Sequence, residues 1–182
     1  MIMIDKICKY CHTEHTLLVH KHQCEQACFA RLKKLEWDKY FLQMARLVST
    51  KSKDQSTKCG CVITKDNAVI STGYNGLCAG MEYTDNVQVR PYKYLVFEHS
   101  ERNAVYLAAK LGTSLNGSKA YVTGPPCADC ARALVQSGVK EVYWPVKHNF
   151  ITRMDQWKES CATSLAIFRE CGIHWKEVEI DS

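Results

Sequence analysis

The sequence predicts an α/β domain built on one mixed sheet with helices packed against it. Three observations carry this. Two short apolar runs, Cys61-Val62-Ile63-Thr64 and Ala68-Val69-Ile70-Ser71-Thr72, flank the turn-forming Lys65-Asp66-Asn67 and read as a hairpin. Beyond the hairpin, helix-like and strand-like segments alternate towards the end of the chain. The 182 residues, 46% hydrophobic and 24% charged, suffice for one core of ordinary size.

Each element follows from local pattern. Leu35, Tyr40, Phe41, Met44, Ala45, Leu47 and Val48 recur at roughly helical spacing and predict a helix ahead of the hairpin. The polar stretch from Ser49 to Lys58 reads as a loop, and Gly73-Tyr74-Asn75-Gly76 ends the second strand. The segment from Leu77 to Glu98 has little periodicity, and a connection of that length is usually functional or disordered. Glu101 to Leu111 has an Ala-rich apolar face, with Gly112 suited to end the helix. Ala120-Tyr121-Val122-Thr123 is a third strand. Pro125-Pro126 breaks the chain before a helix from Cys127 to Gln136. Glu141-Val142-Tyr143-Trp144 is a fourth strand, Asp155 to Glu170 a helix, and Ile173 to Ile180 a last strand.

Charge and cysteine usage narrow the class. A net charge of +5 is mild; it suits an anionic ligand such as a nucleotide, or weak nucleic-acid contact, and an ordinary solvated surface looks the same. No apolar run approaches the ~20 residues of a membrane helix. The start, Met1-Ile2-Met3-Ile4-Asp5-Lys6, lacks the apolar stretch of a secretory signal, so the expected location is the cytoplasm, or a host's cytoplasm for a phage protein. Eleven cysteines, an odd number without such a signal, point to metal binding and buried thiols rather than a disulfide framework. Cys59, Cys61, Cys78, Cys161 and Cys171 have no partner spacing, and Cys61 reads as a small core residue within a strand.

Two textures divide the chain into a Cys/His-rich segment over 1–30 and the α/β domain over 31–182. Cys8-x2-Cys11-x12-Cys24-x3-Cys28 has zinc-finger spacing, so a structural zinc is expected there; Cys8, Cys11, His20 and Cys24 form a rival set. Stiffening this segment or extending a subunit contact is the expected role. DNA docking is the alternative.

The chemistry-bearing pattern is His99-Ser100-Glu101 followed by Pro126-Cys127-Ala128-Asp129-Cys130. Zinc takes four tetrahedral ligands, and a catalytic zinc keeps one position for water. His99, Cys127 and Cys130 supply three protein ligands, each at the start of a predicted helix, where backbone N–H groups favour thiolate. Two cysteines three residues apart face one metal across a helical turn. Glu101 is the expected proton carrier: it takes a proton from the activated water and delivers it to the substrate. A structural zinc or unrelated thiols is the competing reading, but neither half of the pattern adjoins an obvious fourth protein ligand. H-x-E…P-C-x-x-C is the signature of zinc nucleobase deaminases.

From about Trp37 to Trp144 the chain resembles the deoxycytidylate (dCMP) deaminases of the zinc-dependent cytidine/deoxycytidylate deaminase family. The resemblance rests on the zinc pattern, on Ser52 to Cys61 leading into the hairpin, and on Gly73-Tyr74-Asn75-Gly76 followed by Gly80. The long insert before His99, Tyr121-Val122-Thr123 and Gln136-Ser137-Gly138-Val139 add to it. Ser100 stands where the family usually has Ala, Cys59-Gly60-Cys61 where Val-Gly-Ala is common, and Thr123-Gly124-Pro125 where a Thr-Leu-Ser-type run is usual.

The resemblance implies a cytidine-deaminase-like three-layer α/β/α sandwich with a mixed five-stranded sheet. It implies conversion of dCMP to dUMP for thymidylate synthesis, a homohexamer, activation by dCTP and inhibition by dTTP, with Mg²⁺ assisting. Asn75 is then a candidate to hold base or sugar, and Gly73, Tyr74, Asn75 and Gly76 to contact an effector, although Asn-Gly is also a common turn. Lys53, Ser56 and Lys58 are candidates for the 5′-phosphate, and Arg90, Tyr92 and Lys93 for effector contact; a solvated loop would read the same. The other function class is a nucleic-acid-binding or polynucleotide-editing deaminase docking through the N-terminal finger. The chain has no dense basic stripe to favour it.

Overall fold

A computed structural model describes residues 36–146 and 155–180, with Asp155, Gln156 and the short strands Lys6–Ile7 (β1) and Glu14–His15 (β2) described by their backbone alone. The chain divides into two compact units, Met1–Glu36 and Trp37–Ser182. In the first, β1 pairs antiparallel with β2, Lys6 opposite His15. The expected N-terminal ligands Cys8, Cys11, His20, Cys24 and Cys28 lie outside the described residues.

The second unit opens with helix α1, Trp37–Ser49, whose first turn carries Asp38 and last turn Arg46, both matched to the helix dipole. Strands β3 (Gly60–Lys65) and β4 (Ala68–Tyr74) follow as an antiparallel hairpin. Asp66 and Asn67 join them at φ 50° and 60°, the left-handed pair a two-residue hairpin turn requires. The insert contains strand β5 (Gly76–Leu77), a 3₁₀ turn at Asp85–Gln88, the one-turn helix α2 (Lys93–Val96) and strand β6 (Phe97–Glu98). Then come α3 (Ser100–Leu111), β7 (Lys119–Val122), α4 (Ala128–Gln136), β8 (Glu141–Pro145), α5 (Asp155–Glu170) and β9 (His174–Val178). Gly112, at φ 67°, ends α3 as expected.

The main sheet runs β4-β3-β7-β8-β9. β3 is antiparallel to both β4 and β7, whereas β7, β8 and β9 are mutually parallel. Parallel neighbours need long crossovers, and α4 and α5 supply them. The pleat sorts the core onto two faces. Val62, Tyr121 and Tyr143 pack with Phe41, Leu42 and Ala45 of α1. Cys61, Ile63, Val122, Val142 and Trp144 point the other way and pack with Ala104 and Ala108 of α3, Leu134 of α4 and Phe168 of α5. This is the mixed five-stranded, helix-covered sheet that the alternation predicts. Each fully buried Ile63, Leu134 or Phe168 contributes roughly 1.5–3 kcal/mol relative to exposure.

The insert differs from the structureless connection its sequence suggests. β5 pairs antiparallel with β6, Gly76 opposite Glu98 and Leu77 opposite Phe97, so its two ends meet. Two-residue strands are too short to leave a periodic signal.

Candidate active site

Two helix starts converge. His99 is the N-cap of α3 and Cys127 the N-cap of α4, both in extended backbone conformation. The position of α3 is set by unusually close packing on β4. A Cβ at Gly73 would fall 2.2 Å from the Ser100 carbonyl oxygen and 2.4 Å from the Ala104 nitrogen. Ser71 Oγ donates to the Ala104 carbonyl at 2.6 Å, and Asn103 Nδ2 donates to the Tyr74 carbonyl at 2.8 Å. Strand and helix are thereby locked together one turn from His99 and Glu101.

His99 Nδ1 lies 3.4 Å from Cys127 Sγ and 3.5 Å from Cys130 Sγ. One donor atom from each of His99, Cys127 and Cys130 fits within 4.8 Å of the others, a spacing one metal ion can span. The donor set, one imidazole and two sulfurs, is the chemistry zinc prefers. Hydrogen bonding from Cys130 holds the Cys127 thiol down to about 4, and His99 assists. The same hydrogen bond between the two side chains, together with burial, pushes the Cys130 thiol far up. Burial would lower His99, but its bond to Cys127 and the nearby Glu101 charge raise it.

Glu101 is 5% exposed, and Ser100 Oγ donates to its Oε2 at 2.9 Å. Burial raises its pKa above the ordinary carboxylate value, only partly offset by His99. A buried carboxyl whose pKa is raised holds a proton more readily than a free one, as a group that must both take and give one requires. Next to it, Arg102 grips Glu98 bidentately at 2.8 and 2.7 Å and reaches Asp129 at 3.5 Å. Burial works against the Arg102 charge, but Glu98 and the two sulfurs more than restore it.

These groups open on a cavity of about 200 Å³ lined by His99, Glu101 and Cys127, while Cys130 is fully buried behind them. Asp54, Ser56, Thr57 and Asn75 line it from the hairpin side, and Tyr94 and Trp157 contribute rings. Trp157 meets His99 edge-on, centroids 5.4 Å apart.

Of the expected substrate and effector residues, Asn75 lines the cavity but its amide is engaged. Oδ1 accepts from Cys59 N at 2.7 Å, and Nδ2 donates to Asp54 Oδ2 and to the Thr57 carbonyl at 3.0 and 2.8 Å. Ser56 also lines the cavity, whereas Lys53 and Lys58 do not. Lys53 Nζ sits 5.5 Å over the Tyr83 ring. Gly73 and Gly76 are buried and Tyr74 is exposed. Arg90 lines the cavity, as does Lys93, which is buried against Asp54; Tyr92 does not. Sequence reasoning missed Asp54, Arg102, Trp157 and Cys161. Asp54-Gln55-Ser56 carried a turn signal and Glu98…Arg102 an i,i+4 pair; Trp157 and Cys161 carried none.

A family model described as the cytidine and deoxycytidylate deaminase zinc-binding region matches residues 35–146. An uncharacterized deaminase in the luxG 3′ region of Aliivibrio fischeri is 37% identical over 148 residues, 80% of this chain and 97% of that protein. The deoxycytidylate deaminase of Homo sapiens is 33% identical over 127 residues, 65% of this chain and 69% of that one. The solved dCMP deaminase of cyanophage S-TIM5, in complex with dCMP and dUMP, aligns at a TM-score of 0.63 and 23% identity over 80% of this chain and 98% of that one; it shares the fold. Among the described residues, no helix is long and apolar enough to cross a membrane.

Proposed function

The chain belongs to the cytidine and deoxycytidylate deaminase family, and we propose that it hydrolyses dCMP to dUMP and ammonia. The observation that carries this is Glu101, a buried carboxyl with a raised pKa, set beside His99 and Cys127 on one cavity with Cys130 buried behind them. The likeness to named deoxycytidylate deaminases supports the choice of substrate.

His99, Cys127 and Cys130 are the proposed zinc ligands. When bound, zinc supplies a water acidic enough to attack near neutral pH. Glu101 moves the protons: it accepts one from the attacking water and delivers it to N3 of the cytosine ring, then takes the second from the hydroxyl now on C4 and passes it to the exocyclic amine. Water adds at C4, the C4–N bond breaks, and ammonia leaves uracil behind. Ser100, donating to Oε2, helps hold the carboxyl in place. Arg102, fastened by Glu98 and Asp129, balances the charge of the sulfurs.

The same reading extends to features supported by the resemblance and by spacing alone. These are supply of dUMP for thymidylate synthesis in the cytoplasm, a homohexamer, and control by dCTP and dTTP with Mg²⁺. A second, structural zinc is proposed at Cys8, Cys11, Cys24 and Cys28, or with His20 in place of one cysteine.

A panel of dCMP, deoxycytidine, cytosine and single-stranded DNA tests the proposal. dCMP should be converted fastest. Faster conversion of the polymer, the free base or the nucleoside overturns it.

A further inference from the structure

Among the described residues, Arg90, Lys93 and Arg102 are the arginines and lysines that line the cavity. Two of them are already neutralised. Lys93 Nζ contacts Asp54 Oδ1 at 2.6 Å, and Arg102 holds Glu98 bidentately while reaching Asp129. Arg90 differs. Among the described residues it is the one cavity cation with no carboxylate partner; its guanidinium lies over the Tyr94 ring, 5.7 Å from the centroid. Tyr94 meets Trp157 edge-on at 5.9 Å, and Trp157 meets His99 edge-on at 5.4 Å. A run of rings therefore leads from the catalytic centre to Arg90.

This charge balance restricts where a phosphate can sit. The lining carboxylates Asp54, Glu98 and Asp129 each have a cation beside them, and Glu101 lies at the reacting end. A phosphate brought to Lys93 would meet the Asp54 carboxylate bonded to the same amine, and one brought to Arg102 would meet Glu98 and Asp129. Like charges at such separations repel strongly in a partly desolvated site. Among the described residues, positive charge with no carboxylate beside it is offered at Arg90, whose planar fork matches two phosphate oxygens. Its position over the Tyr94 ring places that fork before any ligand arrives. The loop lysines Lys53 and Lys58 lie outside the cavity lining.

We infer that Arg90 is the residue that distinguishes a nucleotide from a nucleoside, by binding the 5′-phosphate of dCMP and leaving Lys93 to a structural task. This rests on the reading of the cavity as a dCMP deaminase site.

The test is calorimetric titration of the zinc-loaded full chain with dUMP and with deoxyuridine, for the wild type, Arg90→Ala and Arg90→Lys. Arg90→Ala should weaken dUMP binding by roughly 10- to 100-fold while moving deoxyuridine little, with Arg90→Lys intermediate because it keeps charge but loses the fork. In turnover of dCMP, KM should rise by more than kcat falls. Equal weakening of both ligands, an unaltered preference in Arg90→Ala, or a wild type indifferent to the phosphate overturns the assignment. A wild type that binds dUMP through Arg90 yet deaminates nothing overturns the proposed reaction and leaves Arg90 as the phosphate contact.

Discussion

Lys93 and Asp54, 39 positions apart in sequence, form a buried ion pair with Nζ 2.6 Å from Oδ1. The same amine donates to Ser56 Oγ at 2.6 Å. The Asp54 carboxylate accepts in addition from Ser56 N, Ser56 Oγ and Thr57 N, and from Asn75 Nδ2. One carboxylate thus fastens the insert, the loop ahead of the hairpin and the end of β4 around the cavity. Removing the amine strands a buried anion, so Lys93→Met should cost about 3–5 kcal/mol of stability. Urea unfolding measures it. The double variant Lys93→Met/Asp54→Asn should recover part of the loss, because no charge is then left unpaired.

Asp54 also sets an acid limit on stability. Burial works against its charge, but bonds from Lys93, Thr57 and Ser56 prevail and hold its pKa below the ordinary value. A depressed carboxylate stabilises the fold above its unfolded-state pKa of about 3.9, and that contribution disappears as pH falls through the lower folded value. Wild-type stability should therefore drop below about pH 4, and less steeply in Asp54→Asn. Urea midpoints across this range compare the two; parallel curves would exclude the assignment.

Glu101→Gln keeps the size and polarity of the side chain but cannot shuttle a proton. It should retain bound zinc and lose about 10²- to 10⁴-fold in kcat. Metal analysis and steady-state kinetics on one preparation separate the effects. Near-normal turnover removes Glu101 from the proton path.

The metal sites separate by mutation. The full chain should hold two zinc ions, and Cys130→Ser should hold one and be inactive. Cys8→Ser should also hold one but keep the catalytic ion. Elemental analysis reads both. A Cys130→Ser chain with undiminished zinc contradicts the proposed ligand set.

Gly73→Ala tests the seating of α3. The added methyl would strike the backbone at Ser100 and Ala104, which cannot yield as a flexible side chain would. The helix start bearing His99 and Glu101 must shift, so zinc affinity and kcat should both fall, although Gly73 lies outside the cavity lining. Gly80→Ala is the control, because nothing lies within 4 Å of its added methyl; its φ of +90° costs some backbone strain but leaves α3 in place.

Much of this was legible because local chemistry dictated it. Asp66-Asn67 accepts left-handed backbone, Gly112 stops a helix, and apolar runs bounded by such residues became the five strands of the main sheet. His99, Cys127 and Cys130 were legible because a metal demands those donors at helix starts, and the structure brings them together. Lys93 was not. An amine in an aperiodic stretch gives no sign that it will be buried; burial becomes tolerable only when Asp54 arrives from the far side of the hairpin. Trp157 looks like any residue of an amphipathic helix until the crossover into α5 sets it against His99. Charge placement depends on which carboxylates fold beside which cations, so the sequence alone did not show that Arg90 lines the cavity while Lys53 and Lys58 do not.

Pairing of Gly76 with Glu98 and of Leu77 with Phe97 gives the insert a closed neck. A closed loop pays for extra length only logarithmically, about 0.6 kcal/mol for each doubling. The stretch beyond the neck can therefore change length at little entropic cost, provided Lys93 still reaches Asp54.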